Sequence, residues 1–376
     1  MNRTITEKDI KGATLQRGMG VHKIVNHKML PEGTVKRLLD DAWLSLNVEE
    51  ESIYNPLEVI PMAFDEDPHI FLTWVLSNPY YLSAFCKEIL NIEIFPTQAL
   101  MIQEMWTHKF PILLGTRGLS KTFSLALYAL IRAILMQGRK IICVGASFRQ
   151  SKIFFEYIEQ IWRTAPLLRD MVGQGKRDDQ IIKHDSSLWS FIIGDSRIHA
   201  CPLGDGSTIR GMRSNDTLSD EFNSINQYVF ENVVAGFGIV SSGPVDNMKR
   251  EATKKMRETL GMEEEIDKMT EQQSNQIVLS GTAGYQFQHF YKYFSKYRDI
   301  IRTKGDRDKL RQLVGDEIDN PNFDWRDYCV IRIPYDCLPY GYFDAAQLSR
   351  NKVNTLPSNF LAEYGACFPA DSDGFF

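Results

Sequence analysis

Eight consecutive residues have the types and spacing that bind phosphate. Residues 115–122 read G-T-R-G-L-S-K-T and lie between the apolar run P-I-L-L and the helix-forming run F-S-L-A-L-Y-A-L-I-R-A-I-L. In such a loop, backbone N–H groups and the N-terminus of the next helix form a positive nest for phosphate oxygens. Lys121 would reach the β- and γ-phosphates, and Thr122 would ligate Mg²⁺. We therefore predict a nucleotide-phosphate site formed by Gly115, Thr116, Arg117, Gly118, Leu119, Ser120, Lys121 and Thr122.

Two residues make this loop unusual. The general pattern is G-x-x-x-x-G-K-[ST], and Ser120 stands where the last glycine is expected. The substitution leaves the donors of the nest in place but makes the conformation of the loop harder to predict. Arg117 adds a cation, which would either lie near the phosphates or be a solvent-exposed loop arginine.

An acidic pair follows further along the chain, where residues 216–222 read D-T-L-S-D-E-F. At the end of a strand, Asp220 could belong to the coordination shell of Mg²⁺ while Glu221 polarises the attacking water. Taken alone, Asp-Glu at a strand end is more often a turn. Its position after a phosphate loop favours the catalytic interpretation.

The loop before this pair contains two arginines, in the run S-T-I-R-G-M-R of residues 207–213. Arg210 or Arg213 could reach a phosphate in its own site or in that of a neighbouring subunit, which is the role of an arginine finger. The alternative is an ion pair with a nearby carboxylate, Asp205 or Asp216. The sequence does not decide between Arg210, Arg213 and the loop residue Arg117 as the finger.

Two further segments could complete a nucleotide site. Ser280, Gly281 and Thr282 follow an apolar strand, where a small hydroxyl-bearing turn can sense the γ-phosphate; the alternative is an ordinary strand-to-helix turn. Gln98, in F-P-T-Q, has an amide that could hydrogen-bond the adenine edge; the alternative is a surface glutamine. The run N-K-V-N of residues 351–354 lacks the aspartate that would accept from guanine. We therefore predict ATP as the nucleotide.

Short apolar runs alternate with helical segments around these motifs, which is the pattern of βαβ units in a parallel sheet. The predicted strands are Phe110–Leu114, Lys140–Gly145, Trp189–Ile193, Asp216–Asp220, Gln276–Ser280 and Tyr328–Ile333, and the predicted helices are Ser120–Met136, Arg149–Thr164, Gln286–Tyr297 and Asp344–Lys352. The predicted fold class is α/β: a doubly wound, mainly parallel sheet of the P-loop NTPase (ASCE) type with a helical N-terminal region. Such sheets bind ligands beyond the carboxyl ends of their strands.

Three regions are expected along the chain: a helical region at 1–91, an ATPase core at 92–345 and a linker at 346–376. Helical spacing at Val35–Leu46 and Phe71–Leu90 supports the first region. Within the core, residues 176–187 are expected to form a polar loop. Residues 241–275 are charged with few apolar positions, which predicts a solvated helical insertion or mobile loop, or alternatively a lid or a DNA-facing loop.

The composition is that of an ordinary globular protein, with 43% hydrophobic and 24% charged residues in a chain of 376. No run approaches the roughly 20 apolar residues of a membrane span, and residues 1–17 are polar, so we expect a cytoplasmic protein without a membrane partner. The net charge of -5 argues against coating nucleic acid by bulk charge, although an acidic protein can carry a local basic surface. Six scattered cysteines without a C-x-x-C pair predict neither a zinc ribbon nor a disulfide framework.

The ordered set F-P-T-Q, G-T-R-G-L-S-K-T, I-R-G-M-R, L-S-D-E-F and S-G-T-A resembles the large terminase subunit of tailed bacteriophages. The resemblance spans residues 92–333, and its most specific element is I-R-G shortly before the acidic pair. It implies the ATPase domain of a motor that packages double-stranded DNA into a procapsid, with ATP and Mg²⁺ as cofactors. The implied partners are double-stranded DNA, the portal and the small terminase subunit, and the implied assembly is a homo-oligomeric ring.

The resemblance also implies a role for each matching residue. Lys121 and Thr122 correspond to the loop lysine and the Mg²⁺ ligand, and Asp220 and Glu221 to the Mg²⁺ aspartate and the catalytic glutamate. Gln98 would be the adenine contact. Arg210 would be the finger that acts in trans, and residues 280–282 would be the coupling motif.

The family normally carries a second domain, a nuclease with clustered carboxylates. The residues after Ile333 are too few for such a domain, so nuclease activity is not expected of this chain. Asp371 and Asp373 are therefore interpreted as part of a linker rather than as a metal site.

Two other interpretations share these features. A helicase or another nucleic-acid-stimulated P-loop ATPase would use the same loop, acidic pair and coupling turn, but a helicase of the two-core type would need a second such domain. A nucleotide-binding switch or scaffold would bind ATP without hydrolysis, and Glu221 argues against it. The sequence identifies neither the DNA-contacting residues nor the number of subunits.

Overall fold

The computed structural model of the chain describes residues 14–17, 20–23, 82–136, 138–173, 177–186, 188–204, 206–207, 209–239, 275–338 and 341–370. The predicted helix at Val35–Leu46 lies outside these residues, as does the charged insertion at 241–275 apart from its last residue. Asp371 and Asp373 also lie outside them. Within the described ranges, no helix is both long and apolar enough to cross a membrane.

A ten-stranded sheet organises the fold. Its strands are β1 (Thr14–Arg17), β2 (Gly20–Lys23), β3 (Phe110–Gly115), β4 (Lys140–Gly145), β5 (Ile182–His184), β6 (Trp189–Ile193), β7 (Ser196–Pro202), β8 (Asp216–Ser219), β9 (Gln276–Gly281) and β10 (Tyr328–Ile333). Their order across the sheet is β2-β1-β10-β3-β9-β8-β4-β7-β6-β5. The central strands from β10 to β7 are parallel, and antiparallel strands flank them on both sides.

Helices connect the strands and cover the sheet. They are α1 (Leu82–Glu88), α2 (Pro96–Thr107), α3 (Lys121–Leu135), α4 (Phe148–Thr164), α5 (Pro166–Gly173), α6 (Asp178–Ile181), α7 (Gln227–Val229), α8 (His289–Arg302), α9 (Arg307–Val314), α10 (Ala345–Asn354) and α11 (Pro357–Glu363). A π-helical turn, Phe230–Val234, follows α7, and single 3-10 turns lie at Phe222–Ser224, Gly315–Asp319, Trp325–Asp327 and Tyr335–Cys337. Side-chain caps fix several starts: Ser147 caps α4, Asp306 caps α9 and Asp344 caps α10.

Both faces of the parallel strands are buried. Along β3, Leu113 packs into the core with α1 to α4, whereas Ile112 and Leu114 pack into a second core with α8 and the π-helical turn. Strand β4 alternates in the same way, because Ile141 faces the first core and Ile142 the second. Strands buried on both faces appear in the sequence as continuous apolar runs, which explains why these strands could be predicted. The predicted α/β fold class is confirmed.

One edge of the sheet differs from the prediction. Residues 176–187, predicted as a polar loop, contain α6 and the short strand β5, which pairs antiparallel with β6. Strand β7 was not predicted from the sequence; it forms a hairpin with β6 through the two-residue turn Gly194-Asp195. Gly194 has a φ of 55°, as such tight hairpin turns require.

The N-terminal region differs from the helical prediction where the structure describes it. Strands β1 and β2 pair with each other, and β1 extends the sheet by pairing antiparallel with β10. Helix α1 lies within the predicted helical run Phe71–Leu90. The division of the chain into regions 1–91, 92–345 and 346–376 stays a prediction.

A buried ion cluster holds the start of β8. Asp216 is fully buried and accepts hydrogen bonds from Arg132 on α3 at 2.8 Å and from Arg139, which precedes β4, at 2.6 and 2.9 Å. Burial opposes the charge of Asp216, but Arg132 and Arg139 outweigh it and hold the pKa of this carboxyl below its ordinary value. Because Asp220 directly follows β8, the cluster fixes the strand that carries the acidic pair.

Candidate active site

The phosphate loop joins β3 to α3 by a tight turn. Strand β3 ends at Gly115, and α3 begins at Lys121. Gly118 has a φ of 82° and Ser120 a φ of 63°, so the chain enters the left-handed region twice. Between them, Leu119 points its side chain into the core, where a Cβ on Gly115 would overlap it. The loop therefore folds around Leu119 and leads directly into the first N–H groups of α3, which have no partner within the helix.

Lys121 is almost completely buried, with 5% of its surface exposed. Its Nζ donates to the carbonyl oxygens of Gly115 at 3.3 Å and Thr116 at 3.2 Å. Burial lowers the pKa of Lys121, whereas the nearby carboxylates of Glu221 and Asp220 raise it. The ammonium group thus lies against the loop and close to the acidic pair, where it can bind a phosphate.

The structure brings the acidic pair to the phosphate loop. Thr122 Oγ1 donates to Asp220 Oδ2 at 2.7 Å. Burial raises the pKa of Asp220 to about 6, and the hydrogen bond from Thr122 partly opposes this shift. The other carboxylate oxygen, Oδ1, is buried and has no hydrogen-bond partner in the described part of the chain. Carboxylate and hydroxyl oxygens placed together in this way are suitable ligands for Mg²⁺.

Glu221 has a strained backbone and contacts the predicted coupling segment. Its φ of 47° and ψ of 51° lie in the left-handed region, which is uncommon for glutamate and recurs at functional sites. Thr282 Oγ1 donates to Glu221 Oε2 at 3.5 Å. Gly281 permits this close approach, because a Cβ there would lie 3.2 Å from the backbone nitrogen of Phe222. The predicted coupling segment therefore touches the predicted catalytic glutamate.

Ser280 lies between the loop strand and the acidic strand. It pairs with Leu113 of β3, and its neighbour Leu279 pairs with Ser219 of β8, so Ser280 is level with Asp220. Ser280 Oγ, like Asp220 Oδ1, is buried without a hydrogen-bond partner among the described residues. Ser219 Oγ, at the end of β8, has the same status, so three buried polar atoms without a hydrogen-bond partner among the described residues lie at neighbouring strand ends.

Gln98 is buried, with 6% of its surface exposed, so the surface-glutamine alternative is wrong. It is the third residue of α2, and its Oε1 accepts from the backbone N–H of Phe95 at 2.9 Å. The side chain therefore caps its own helix. A glutamine amide has further donor and acceptor capacity beyond this one bond, and the adenine contact stays a prediction.

Arg117 is exposed and held at the surface of the loop. Its side chain is 71% exposed and forms an ion pair with Glu363 of α11 at 3.7 Å. Its backbone N–H donates to the carbonyl oxygen of Glu363 at 2.6 Å. The alternative of an exposed loop arginine describes this geometry better than a cation within the nest.

Arg210 and Arg213 are exposed in the connection from β7 to β8. Arg213 Nη1 donates to the carbonyl oxygen of Met212 at 3.2 Å, and within the described residues the side chain of Arg210 makes neither a hydrogen bond nor an ion pair. Asp216 is not their partner, since the buried cluster with Arg132 and Arg139 occupies it. Asp205, the other carboxylate considered, lies outside the described residues. Among the described residues, the side chain of Arg210 is exposed and faces solvent.

Two contacts of the phosphate loop could not be predicted from its motif. The hydroxyl of Tyr342 lies 2.8 Å from Ser120 Oγ and donates to the carbonyl oxygen of Gly118 at 2.7 Å. Glu363 contacts Arg117 as described. Both residues follow β10, whose carboxyl end lies beside that of β3. Their position after the last strand of the sheet is the one signal in the sequence that could have indicated them.

The strand order and the loop define the class of this fold. The strand before the phosphate loop, β3, and the strand before the acidic pair, β8, are separated by one parallel strand, β9, which carries Ser280. The P-loop NTPase (ASCE) type has a strand, a phosphate loop and a helix in succession. Its acidic strand lies two positions away in the sheet, and a glutamate follows the aspartate of that strand. The chain has this α/β fold.

Solved structures similar to the chain include large terminases of bacteriophages. An arginine-to-alanine variant of the Thermus phage P74-26 large terminase ATPase domain has 13% sequence identity and a TM-score of 0.46, covering 75% of this chain and 97% of that chain. Another structure of that ATPase domain has 13% identity and a TM-score of 0.42, covering 75% and 96%. The HK97 bacteriophage large terminase has 14% identity and a TM-score of 0.43, covering 74% and 51%. TM-scores of this size do not by themselves establish a common fold, which here follows from the strand order and the loop. No protein-family model and no curated protein matches the chain.

Proposed function

We propose that this chain is a Mg²⁺-dependent ATPase. The observation that carries the proposal is the meeting of the phosphate loop and the acidic pair, with Thr122 Oγ1 at 2.7 Å from Asp220 Oδ2 and the Lys121 ammonium buried beside them. A buried carboxylate with an unpaired oxygen is unfavourable unless a cation or a proton satisfies it. The same site offers hydroxyl and carboxylate oxygens to a metal and N–H groups to an anion, as a metal-bound nucleotide requires.

Lys121 and the first N–H groups of α3 would bind the β- and γ-phosphates, and Thr122 and Asp220 would hold Mg²⁺. When bound, the cation neutralises negative charge on the phosphate oxygens. Lys121 would exchange its two long hydrogen bonds to loop carbonyls for charge-assisted bonds to phosphate, which are stronger. Its burial strengthens that attraction, because the effective dielectric constant is lower than in water.

Glu221 would accept a proton from the attacking water. Its Oε2 is engaged by the Thr282 hydroxyl, which orients the carboxylate. Ser280 Oγ, level with Asp220, would hydrogen-bond a phosphate oxygen. The segment 280–282 would therefore respond to the γ-phosphate both directly and through Glu221, which is the role of a coupling motif. Gln98 would recognise adenine.

We further propose that hydrolysis drives the translocation of double-stranded DNA, as the motor of a large terminase does. The support for this step is the order of the motifs, above all I-R-G before the acidic pair and S-G-T after it. The exposed side chain of Arg210 suits a finger that acts on a neighbouring subunit of a ring. The portal and the small terminase subunit would be further partners, and the host cytoplasm the place of action.

ATP hydrolysis by the purified chain tests the first proposal. We expect Mg²⁺-dependent turnover in the wild type, a loss of at least about 10²-fold in Glu221→Gln with ATP binding retained, and a loss of binding in Lys121→Ala. Glu156→Gln is a matched control, because Glu156 is exposed on α4, and it should keep wild-type turnover. Turnover in Glu221→Gln equal to the wild type would exclude the catalytic role. Binding without hydrolysis in the wild type would indicate a nucleotide-binding scaffold instead.

Mixing inactive variants tests action in trans. Arg210→Ala and Glu221→Gln should each be inactive alone, and a mixture should regain activity, because one interface would combine an intact arginine with an intact glutamate. Arg213→Ala is the control for a neighbouring exposed arginine and should remain active. The absence of rescue at every mixing ratio would show that Arg210 does not act on a neighbouring subunit.

Displacement of a third strand from a DNA triplex tests translocation. A translocase moving along double-stranded DNA displaces the triplex-forming strand only with ATP and Mg²⁺, without separating the two duplex strands. Separation of the duplex strands would indicate the helicase alternative. ATPase activity that neither responds to double-stranded DNA nor displaces the third strand would exclude the translocase proposal while leaving the ATPase proposal intact.

A further inference from the structure

Ser120 adopts a backbone conformation that a glycine would adopt without strain. Its φ of 63° and ψ of 35° are left-handed, and a Cβ makes this region unfavourable for L-residues. The general loop pattern has glycine at this position. A serine there needs a contact that compensates for the strain, or the loop would relax into another conformation.

Tyr342 supplies such a contact through two linked hydrogen bonds. Its hydroxyl donates to the carbonyl oxygen of Gly118 at 2.7 Å and lies 2.8 Å from Ser120 Oγ. A tyrosine hydroxyl has one proton, and that proton points to Gly118, so the Ser120 hydroxyl is the donor of the second bond. The two bonds end at Gly118 and Ser120, which are the two left-handed residues of the loop.

The ring of Tyr342 is held by packing that does not involve its hydroxyl. Its centroid lies 5.7 Å from that of Phe95 and 5.3 Å from that of Phe343. Phe343 in turn lies against Gly118, where an added Cβ would be 3.1 Å from the ring. Replacing Tyr342 by phenylalanine therefore removes the hydrogen bonds and leaves the ring contacts in place.

We propose that Tyr342 is a positioning residue of the phosphate loop and that Ser120 and Tyr342 form a matched pair. Their hydrogen bonds hold the loop in the conformation that directs the N–H groups at the start of α3 towards a triphosphate. This inference rests on the proposed ATPase function. Because Tyr342 approaches the loop through a carbonyl oxygen and a side-chain hydroxyl, it supports the loop and leaves the chemical step to Asp220 and Glu221.

Four proteins test the pair: the wild type, Tyr342→Phe, Ser120→Gly and the double variant. Calorimetry with Mg²⁺ and the non-hydrolysable analogue AMP-PNP should give a Kd at least about fivefold weaker in Tyr342→Phe, because this variant loses two hydrogen bonds, each with a modest net effect. The KM for ATP should rise by the same factor, with kcat within about twofold of the wild type. In the Ser120→Gly background the same substitution should weaken the Kd by a clearly smaller factor, about twofold, because glycine needs no support and only the bond to the Gly118 carbonyl is left to lose. Tyr335→Phe removes a hydroxyl elsewhere in the segment after β10 and is the matched control.

An unchanged Kd in Tyr342→Phe would overturn the proposal. An equal loss in both backgrounds would overturn the matched pair, since Tyr342 would then act independently of Ser120. If Tyr342→Phe lost folded structure by circular dichroism, Ser120→Gly alone would decide: equal or tighter binding supports the pair, and weaker binding refutes it. If the wild type itself did not bind AMP-PNP, the ATPase proposal would fail and this role with it. If the wild type binds AMP-PNP and Tyr342→Phe binds it with the same Kd, the proposed pair of Ser120 and Tyr342 is refuted while the ATPase proposal stands.

Discussion

Substituting Asp216 by asparagine should destabilise the protein more than any other single carboxylate-to-amide change on the sheet. The substitution would keep the size of the side chain and remove its charge. Arg132 and Arg139 are each 3% exposed, so neither guanidinium group could recover hydration in place of the lost carboxylate. The variant would thus retain two buried positive charges without their counter-charge.

The magnitude follows from the contacts. Three charge-assisted bonds, at 2.6, 2.8 and 2.9 Å, end on a carboxylate with no exposed surface. Breaking a buried ion pair by removing one partner destabilises a protein by about 3 to 5 kcal/mol. With a urea m-value of about 3 kcal/mol per M or more for a chain of this size, the unfolding midpoint should fall by roughly 1 M.

Urea unfolding followed by tryptophan fluorescence is a suitable assay, because the Trp106 ring lies 5.4 Å from the Arg132 guanidinium group. The pH dependence adds a second check. The pKa of Asp216 is held below its ordinary value, so the cluster stabilises the fold fully above about pH 4 and loses this effect as the pH falls further. The difference between the wild type and Asp216→Asn should therefore shrink at acid pH.

Asp195→Asn is the matched control, because Asp195 is exposed in the turn between β6 and β7. It should change the unfolding free energy by less than about 0.5 kcal/mol. A loss below about 1 kcal/mol in Asp216→Asn, similar to that of the control, would refute the reasoning. It would mean that water reaches the two arginines when the carboxylate is gone.

Three further predictions concern single side chains. Burial lowers the pKa of His199 to about 4, so the wild type should lose stability as the pH falls from about 6.5 towards 4, by on the order of 2 kcal/mol, and His199→Asn should not. Thr122→Val should weaken Mg²⁺-dependent ATP binding about 10- to 100-fold, whereas Thr122→Ser keeps the hydroxyl and should bind as the wild type does. Gln98→Ala should lower the unfolding free energy by about 1 kcal/mol through loss of the cap, and should reduce the preference for ATP over GTP. The His199 prediction is contradicted if the wild type and His199→Asn lose stability in parallel as the pH falls. The Thr122 prediction is contradicted if Thr122→Val and Thr122→Ser show equal Mg²⁺ dependence. The Gln98 prediction is contradicted if the folded Gln98→Ala variant keeps its preference for ATP.

The central strands and the phosphate loop could be predicted because their signals are local. Strands Lys140–Gly145 and Tyr328–Ile333 have the predicted bounds, since burial on both faces makes them continuous apolar runs. The loop is found from its spacing together with the apolar run before it and the helix-forming run after it, and α3 begins within one residue of the prediction. Asp220 and Glu221 were predicted at a strand end from their position after the phosphate loop, and they directly follow β8.

The edges of the sheet and the supports of the loop depend on contacts between distant segments. Strand β5 has three residues, two of them exposed, so its sequence resembles a polar loop and its pairing with β6 decides its conformation. Strand β1 exists because it pairs with β10, more than three hundred residues away. The position of Tyr342 after β10 is a weak signal, and it does not indicate that the hydroxyl reaches Gly118, since only the parallel pairing of β10 with β3 brings them together.

Ser120 and Glu221 both have left-handed backbones without being glycine, and they share one feature that bears on how a motor could work. Ser120 is held by the hydroxyl of Tyr342, after β10, and Glu221 by the hydroxyl of Thr282, after β9. A triphosphate bound between the loop and the acidic pair would affect the conformations of both strained residues at the same time. Each is tied by one hydrogen bond to a segment that follows a different strand. Loss of the γ-phosphate would therefore change the contacts of two separate segments, one leading to α8 and the other to α10. A nucleotide-driven motor needs such connections to convert hydrolysis into movement.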